Sequence, residues 1–249
     1  MPEDPGTETA IADVAQKASA AEIRERFDAA VERFSDLTTG QETIVDAPLI
    51  LDLVSACAKA VTPDARRILD VGSGAGNYAL KLLEQLPDRD VVLLDLSARM
   101  LERARERVSA HTSGSVECVQ GDMREVGLGD EGFDIVVAAA SLHHLRGEDE
   151  WRDVFGRIYR TLRPGGSFWI ADIIAHEDPR IQGLFWERYG EYLAQVLGTD
   201  RRDRMFADIA LNDTPRPIGF QVKLLYESGF ARVDIVHKSS LFAVLGAIR

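Results

Sequence analysis

From Ala20 onward the apolar positions Ile23, Phe27, Val31 and Phe34 recur at spacings of four, four and three, which predicts a helix. A second helix is predicted from Thr43 to Val61, stopped before Pro63. The pattern then changes to short apolar runs alternating with amphipathic ones. Arg67 to Val71 reads as a strand, Ala75 to Leu86 as a helix ended by Pro87, and Val91 to Asp95 as the next strand. Ser97 is the candidate N-cap of the helix that follows. Ser115 to Gln120 and Phe133 to Ala138 read as strands, Asp149 to Leu162 as a helix, and Ser167 to Ile174 as a fifth strand opened by Pro164-Gly165-Gly166. Strands that are apolar throughout, separated by helices, predict an α/β fold with a parallel sheet covered by helices on both faces.

The alternation breaks between His176 and Phe220. This stretch holds Phe185, Trp186, Tyr189 and Tyr192 at helical spacing, then the charged run Asp200-Arg201-Arg202-Asp203-Arg204. A helix from Gln221 to Ser228 and strands Ala231–His237 and Leu241–Ala247 close the chain. The predicted organisation is a mobile tail over residues 1–18 and one domain over 19–249. Within it, residues 19–62 form a helical cap and residues 176–220 a helical insertion after the fifth strand, placed where a lid would serve. The insertion's aromatics are expected to pack it onto the sheet, and an aromatic-rich arm of this kind also admits a homodimer.

Composition narrows the function. The 249 residues carry 41 acidic and 29 basic side chains, a net charge of −12 that disfavours nucleic acid as the partner. The excess is concentrated at the start: residues 1–60 hold 12 acids and 5 bases. No apolar stretch approaches a membrane span and the first residues do not read as a signal peptide. Cys57 and Cys118 stand far apart, outside any metal-binding spacing, so a cytoplasmic chain with two ordinary thiols and no metal is expected.

The strongest chemical signal is Ile68-Leu69-Asp70-Val71-Gly72-Ser73-Gly74-Ala75-Gly76-Asn77. An apolar strand runs into glycines at alternate positions, which permit a sharp turn and close approach of a ligand to the backbone. The G-x-G-x-G spacing differs from the G-x-G-x-x-G that seats a pyrophosphate. An acid before the glycines suits an ammonium better than a phosphate. Asp95, at the end of the second strand, can accept both hydroxyls of a ribose. In Gln120-Gly121-Asp122-Met123 the Asp122 carboxylate can accept from an adenine amine while Met123 contacts the ring.

In this order the pieces resemble the class I S-adenosylmethionine-dependent methyltransferases, from Arg66 to Ile174 in detail. Leu162-Arg163-Pro164-Gly165-Gly166 and Tyr226-Glu227-Ser228-Gly229-Phe230 are similar to that family's junctions around its later strands. The resemblance implies a Rossmann-like seven-stranded sheet, mostly parallel with the last strand antiparallel, and S-adenosylmethionine as cofactor. It assigns Gly72, Ser73 and Gly74 to the methionine moiety, Asp95 to the ribose, and Asp122 and Met123 to the adenine. Asp70, Leu96, Met100, Gly121 and Ala139 complete the expected cofactor set.

A narrower likeness rests on Arg26-Phe27-Asp28, the insertion and Phe242 to Gly246. It points to a subgroup that includes the carboxy-S-adenosylmethionine-dependent enzyme acting on a tRNA wobble uridine. An arginine of that enzyme, which pairs with the extra carboxylate, aligns without gaps on Asp203, between Arg202 and Arg204. An aspartate there would repel a carboxylate, which favours the ordinary cofactor.

The reacting centre is expected after the fourth strand, at Ser141-Leu142-His143-His144. Methyl transfer from a sulfonium is an in-line displacement that needs alignment and exclusion of water. A base is needed only if the nucleophile arrives protonated, and His143 or His144 could supply it. Equally, one histidine could cap the strand end while the other faces solvent. A metal pair is disfavoured because adjacent residues on an extended segment point to opposite sides. Phe34 could cover the sulfonium through a cation–π contact or simply pack. The expectation is a methyltransferase with a small-molecule acceptor. Its rivals are a carboxy-S-adenosylmethionine-dependent tRNA-modifying enzyme, a nucleotide-cofactor oxidoreductase and a non-catalytic cofactor-binding relative.

Overall fold

The computed structural model describes residues 17–36 and 41–249. Seven strands form one sheet in the order β3-β2-β1-β4-β5-β7-β6. They are β1 Arg67–Val71, β2 Asp90–Asp95, β3 Val116–Gln120, β4 Phe133–Ala139, β5 Leu162–Ile173, β6 Arg232–Ser239 and β7 Phe242–Ile248. The pairs β1–β2, β1–β4, β2–β3 and β4–β5 are parallel, whereas β7 runs antiparallel to both β5 and β6.

Nine helices surround this sheet among the described residues: α1 Ala20–Asp28, α2 Val31–Ser35, α3 Ala47–Val61, α4 Asn77–Gln85, α5 Ala98–Ser109, α6 Glu148–Thr161, α7 Pro179–Leu197, α8 Thr199–Asn212 and α9 Ile218–Ser228. The strand residues explain why both faces are covered. Leu69, Val71, Val136, Ala138 and Phe168 point to one face, where Trp151, Phe155 and Ile158 of α6 and Leu224 and Leu225 of α9 meet them. Their neighbours Ile68, Ile135, Val137 and Trp169 point to the other, beneath α3, α4 and α7. Among the described residues no helix is long and apolar enough to cross a membrane.

Several boundaries differ from the sequence reading, each for a local reason. The single helix expected from Ala20 is two helices. α1 is capped at Ala29 and the chain leaves the helical conformation at Ala30 (φ −116°, ψ 13°), while Arg99 of α5 donates to the Asp28 carbonyl at 3.2 Å. The Asp28 side chain is likewise held by the Ser97 hydroxyl at 2.5 Å. α3 starts at Ala47 rather than Thr43 because Asp46 adopts φ 63°, a left-handed turn that no helix can pass through. α4 starts at Asn77 because Gly76, at φ 81°, caps it. β5 begins at Leu162, five residues before the expected Ser167, so the Pro-Gly-Gly turn lies inside the paired strand.

Ser97 caps α5 as expected, accepting from the Met100 amide at 3.0 Å. Residues 1–16 of the expected tail lie outside the described residues. Its last two are not mobile: Lys17 donates to the carbonyls of Ala210 and Asp213 at 2.5 and 2.7 Å, and the Ala18 amide to the Leu211 carbonyl at 3.1 Å. The N-terminal segment is thereby tied to the insertion, which is a hairpin of α7 and α8 turned at Gly198 (φ 82°).

Candidate functional site

The carboxyl ends of β1, β2 and β4 open into a cavity roofed by α1 and α2. Every residue expected at the cofactor borders it: Asp70, Gly72, Ser73, Gly74, Asp95, Leu96, Met100, Gly121, Asp122, Met123 and Ala139. The alternate glycines serve different needs. Gly72 (φ 69°) lies against Ser141, whose Cβ would be 2.4 Å from any added methyl group. Gly74 (φ 50°) faces open space, leaving its backbone bare toward the cavity. Gly76 receives α5, with Val108 and Ala104 at 3.0 and 3.3 Å from the position a Cβ would take.

The carboxylates around this loop are held by backbone amides. Asp95 accepts from Gly74 N at 2.8 Å and Ser97 N at 2.8 Å, which fixes its position and leaves each oxygen a second lone pair. Asp70 is 2% exposed and accepts from Ala79 N at 3.2 Å. Burial raises its pKa to about 7, opposed by that bond and reinforced by Asp95. Asp122 is more engaged than its sequence position indicated. The Arg124 guanidinium holds both of its oxygens, at 2.5–3.0 Å, and extends to Glu150. Gly121 is required by Val126, whose methyl would lie 2.4 Å from its Cβ. The buried Ser73 hydroxyl and Gln41 amide oxygen belong to residues bordering the cavity and have no partner among the described residues.

The two histidines occupy a 3-10 turn, Leu142–His144, not an extended segment. Ala140 at φ 48° turns the chain sharply out of β4. The rings therefore converge, with centroids 4.2 Å apart, and the argument that adjacent side chains diverge does not hold here. Their environments separate them. His143 Nδ1 meets Asp172 Oδ1 at 2.5 Å and His143 Nε2 lies 3.6 Å from Asp213. Burial lowers its pKa, but Asp172 and Asp213 outweigh that and raise it to about 9, so it is an imidazolium at neutral pH.

His144 is driven the opposite way, well below its ordinary value, by burial and by the neighbouring imidazolium. Its Nδ1 faces two acceptors, the Asn212 carbonyl at 3.2 Å and Asp213 at 3.4 Å, so Nδ1 carries the hydrogen. The lone pair then sits on Nε2, which is buried and has no partner. His143, His144 and Asp213 bring nitrogen and oxygen atoms within 4.8 Å of one another, close enough for a small cation. As they stand, those atoms are paired with each other and with Asp172 and Asn212.

A second cavity adjoins the first. It shares Phe27, Phe34, Ile44, Tyr78, Ala140 and His144 with it, and adds His143, Asp172, Asp213, Tyr189, Phe242, Arg26 and Arg33. Of the insertion's aromatics, Trp186 stacks on Phe206 at 4.5 Å and the Tyr192 hydroxyl donates to the Glu42 carbonyl at 2.9 Å. The first contact joins α7 to α8 and the second ties α7 to the cap, while all four aromatics pack on the core beneath, as expected. Tyr189 alone among the four reaches the cavity.

Asp203 lies on the outer side of α8, paired with Arg202 at 2.8 Å and bordering neither cavity. It therefore exerts no repulsion at the site and cannot discriminate between carboxylated and ordinary cofactor. Asp172 was missed although it is the single acid in the apolar run Phe168–Ile174. It accepts from the Leu142 amide at 2.9 Å as well as from His143.

Residues 68–166 match the family model for a methyltransferase domain. The chain is 29% identical over 143 residues to a demethylmenaquinone methyltransferase of Deinococcus radiodurans, a match covering 57% of this chain and 56% of that protein. It thus spans little more than half the length of that relative. A carboxy-S-adenosyl-L-methionine synthase of Photorhabdus laumondii is 24% identical over 232 residues, covering 90% of this chain and 89% of its own. The fold is shared with human N-acetylserotonin methyltransferase in complex with SAM, at a TM-score of 0.61 and 18% identity, over 96% of this chain and 65% of that one.

Proposed function

We propose, from the premise that residues 68–166 form a class I S-adenosylmethionine-dependent methyltransferase domain, that the protein methylates a small molecule held in the second cavity, with His144 as its base. The observation that carries this reading is the junction of the two cavities at His144, whose Nε2 lone pair no protein group claims.

The first cavity suits the cofactor at each of its parts. Asp70 would pair with the ammonium, Asp95 with the ribose hydroxyls, and Leu96, Met100 and Met123 would pack against the adenine. Bound there, S-adenosylmethionine supplies the activated methyl group. Phe27 and Phe34 separate the junction from solvent on the cap side. His144 Nε2 takes the acceptor's proton as the new bond forms. Asp213, beside Nδ1, stabilises the resulting charge, and the His143 imidazolium holds Asp213 in place from its other side. His143 is thus a positioning residue, since it is already protonated near pH 7 and has no free lone pair to accept a proton.

A net charge of −12 supports a small acceptor over nucleic acid, and the free thiols Cys57 and Cys118 accord with a reducing, cytoplasmic setting. The reading extends to a homodimer through α7, where Ile181 and Leu184 are 46% and 52% exposed, testable by light scattering of wild type against a double Ser variant. The decisive test of function supplies tritiated-methyl S-adenosylmethionine with a metabolite extract and, separately, with bulk tRNA. Label in the small-molecule fraction that disappears in His144→Gln supports the proposal. Label in tRNA alone, or cofactor binding with no transfer to either, contradicts it.

A further inference from the structure

The second cavity contains charges that proton transfer does not use. Arg33, on α2, borders it, yet its Nε is buried without a partner, and among the described residues it forms no ion pair. Its neighbours are already matched. Arg201 pairs with Glu42 at 3.1 Å, and Arg26 reaches Asp208 with one nitrogen at 3.3 Å. The other terminal nitrogen of Arg26, NH1, is also buried and unpartnered. Burial and the charges of Arg201 and Arg26 all act against the protonated form of Arg33. A guanidinium costs free energy in such a place unless an anion meets it, and in a chain of net charge −12 a spare carboxylate would be easy to supply. Among the described residues no carboxylate comes within ion-pair distance of Arg33, and Glu42 and Asp208, already paired with Arg201 and Arg26, favour its charge only from farther away.

We propose that Arg33 and Arg26 form an anion subsite of the acceptor cavity, and that the acceptor is a planar aromatic compound carrying a carboxylate. This rests on the second cavity being the acceptor site. A guanidinium offers a planar fork of N–H donors that matches a carboxylate in two parallel hydrogen bonds. Four aromatic rings, Phe27, Phe34, Tyr189 and Phe242, also line the cavity and suit a planar ligand.

The span is also suitable. The Arg26 guanidinium lies 5.3 Å from the Phe27 ring centre, and that ring lies 5.9 Å from His144. Arg26 and His144 therefore border the same phenyl ring, on which an elongated aromatic acid could lie between them. Asp172 and Asp213 line the same cavity and would repel a second negative charge, which favours a monoanion over a phosphate ester.

The experiment is calorimetric titration of the protein saturated with S-adenosylhomocysteine, using 2-naphthoate and its neutral isostere 2-naphthamide, with benzoate and cinnamate as further acids. We expect an acid to bind at least tenfold more tightly than the amide. Arg33→Gln should abolish that preference, Arg33→Lys should retain part of it, and S-adenosylhomocysteine should bind all three proteins alike. Equal binding of acid and amide, a preference that survives Arg33→Gln, or no binding by any acid would overturn the proposal. Failure of the cofactor reading would be seen separately, as no binding of S-adenosylhomocysteine to the wild type.

Discussion

The two adjoining cavities are built in contrasting ways. The first is made by backbone: a glycine turn, strand ends and carboxylates fixed by amides no more than nine residues away along the chain or on the next strand. The second is made by side chains brought from far apart. Asp172 reaches His143 across 29 residues, and Thr214 donates its amide to the His143 carbonyl at 2.7 Å from 71 residues away. A backbone-built site can keep its ligand while sequences drift. One assembled from a cap and an insertion can change its ligand without disturbing the first.

The contrast can be tested most strongly at the junction. His144→Gln should lower kcat for methyl transfer about 10²–10⁴-fold, the usual range for a general base. Binding of S-adenosylhomocysteine, measured by calorimetry, should change little. Gly72→Ala should act on the backbone-built side. It forces a positive φ on alanine and sets a methyl group 2.4 Å from the Ser141 Cβ, at a cost of about 2–3 kcal/mol visible in denaturant unfolding.

Weaker effects depend on pH. In the proposed site the cofactor's ammonium would pair with an ionised Asp70, whose pKa lies at about 7 without a ligand. S-adenosylhomocysteine affinity should therefore rise about thirtyfold between pH 5.5 and 8, and Asp70→Asn should flatten the curve. The smallest effect concerns His143. Its pKa is raised when folded, so it contributes stability fully below about pH 6.5 that is lost as pH rises through about 9. The melting temperature should fall by a few degrees over that window, and by less in His143→Gln.

The same contrast explains what the amino-acid sequence disclosed. Asp70, the glycines and Asp95 were legible because each sits at a strand end, and the alternation of strands and helices already brings those ends together. The seven strands were readable from the same periodicity and the antiparallel last strand from the family resemblance, whereas their order across the sheet comes from the structure. The histidines were located but not distinguished. What separates them is Asp172, one strand over, and Asp213, at the end of the insertion, and no local pattern links either to Leu142–His144. The break after Asp28 was hidden for a similar reason, since the partners that hold Asp28 there, Ser97 and Arg99, lie about 70 residues on. Asp203 misled because an ungapped alignment fixes a position in the chain without saying which side of a helix it occupies.

The most direct measurement is the affinity of S-adenosylhomocysteine for wild type, Asp95→Ala and His144→Gln, determined side by side by calorimetry. Removing the Asp95 carboxylate leaves the Gly74 and Ser97 amides without their acceptor and would delete the proposed contact to the ribose. Binding to the wild type, at least a tenfold loss in Asp95→Ala and near-normal binding in His144→Gln are the predicted results. No binding to the wild type, or an equal loss in both variants, would contradict the division between a cofactor cavity built by backbone and an acceptor cavity built by side chains.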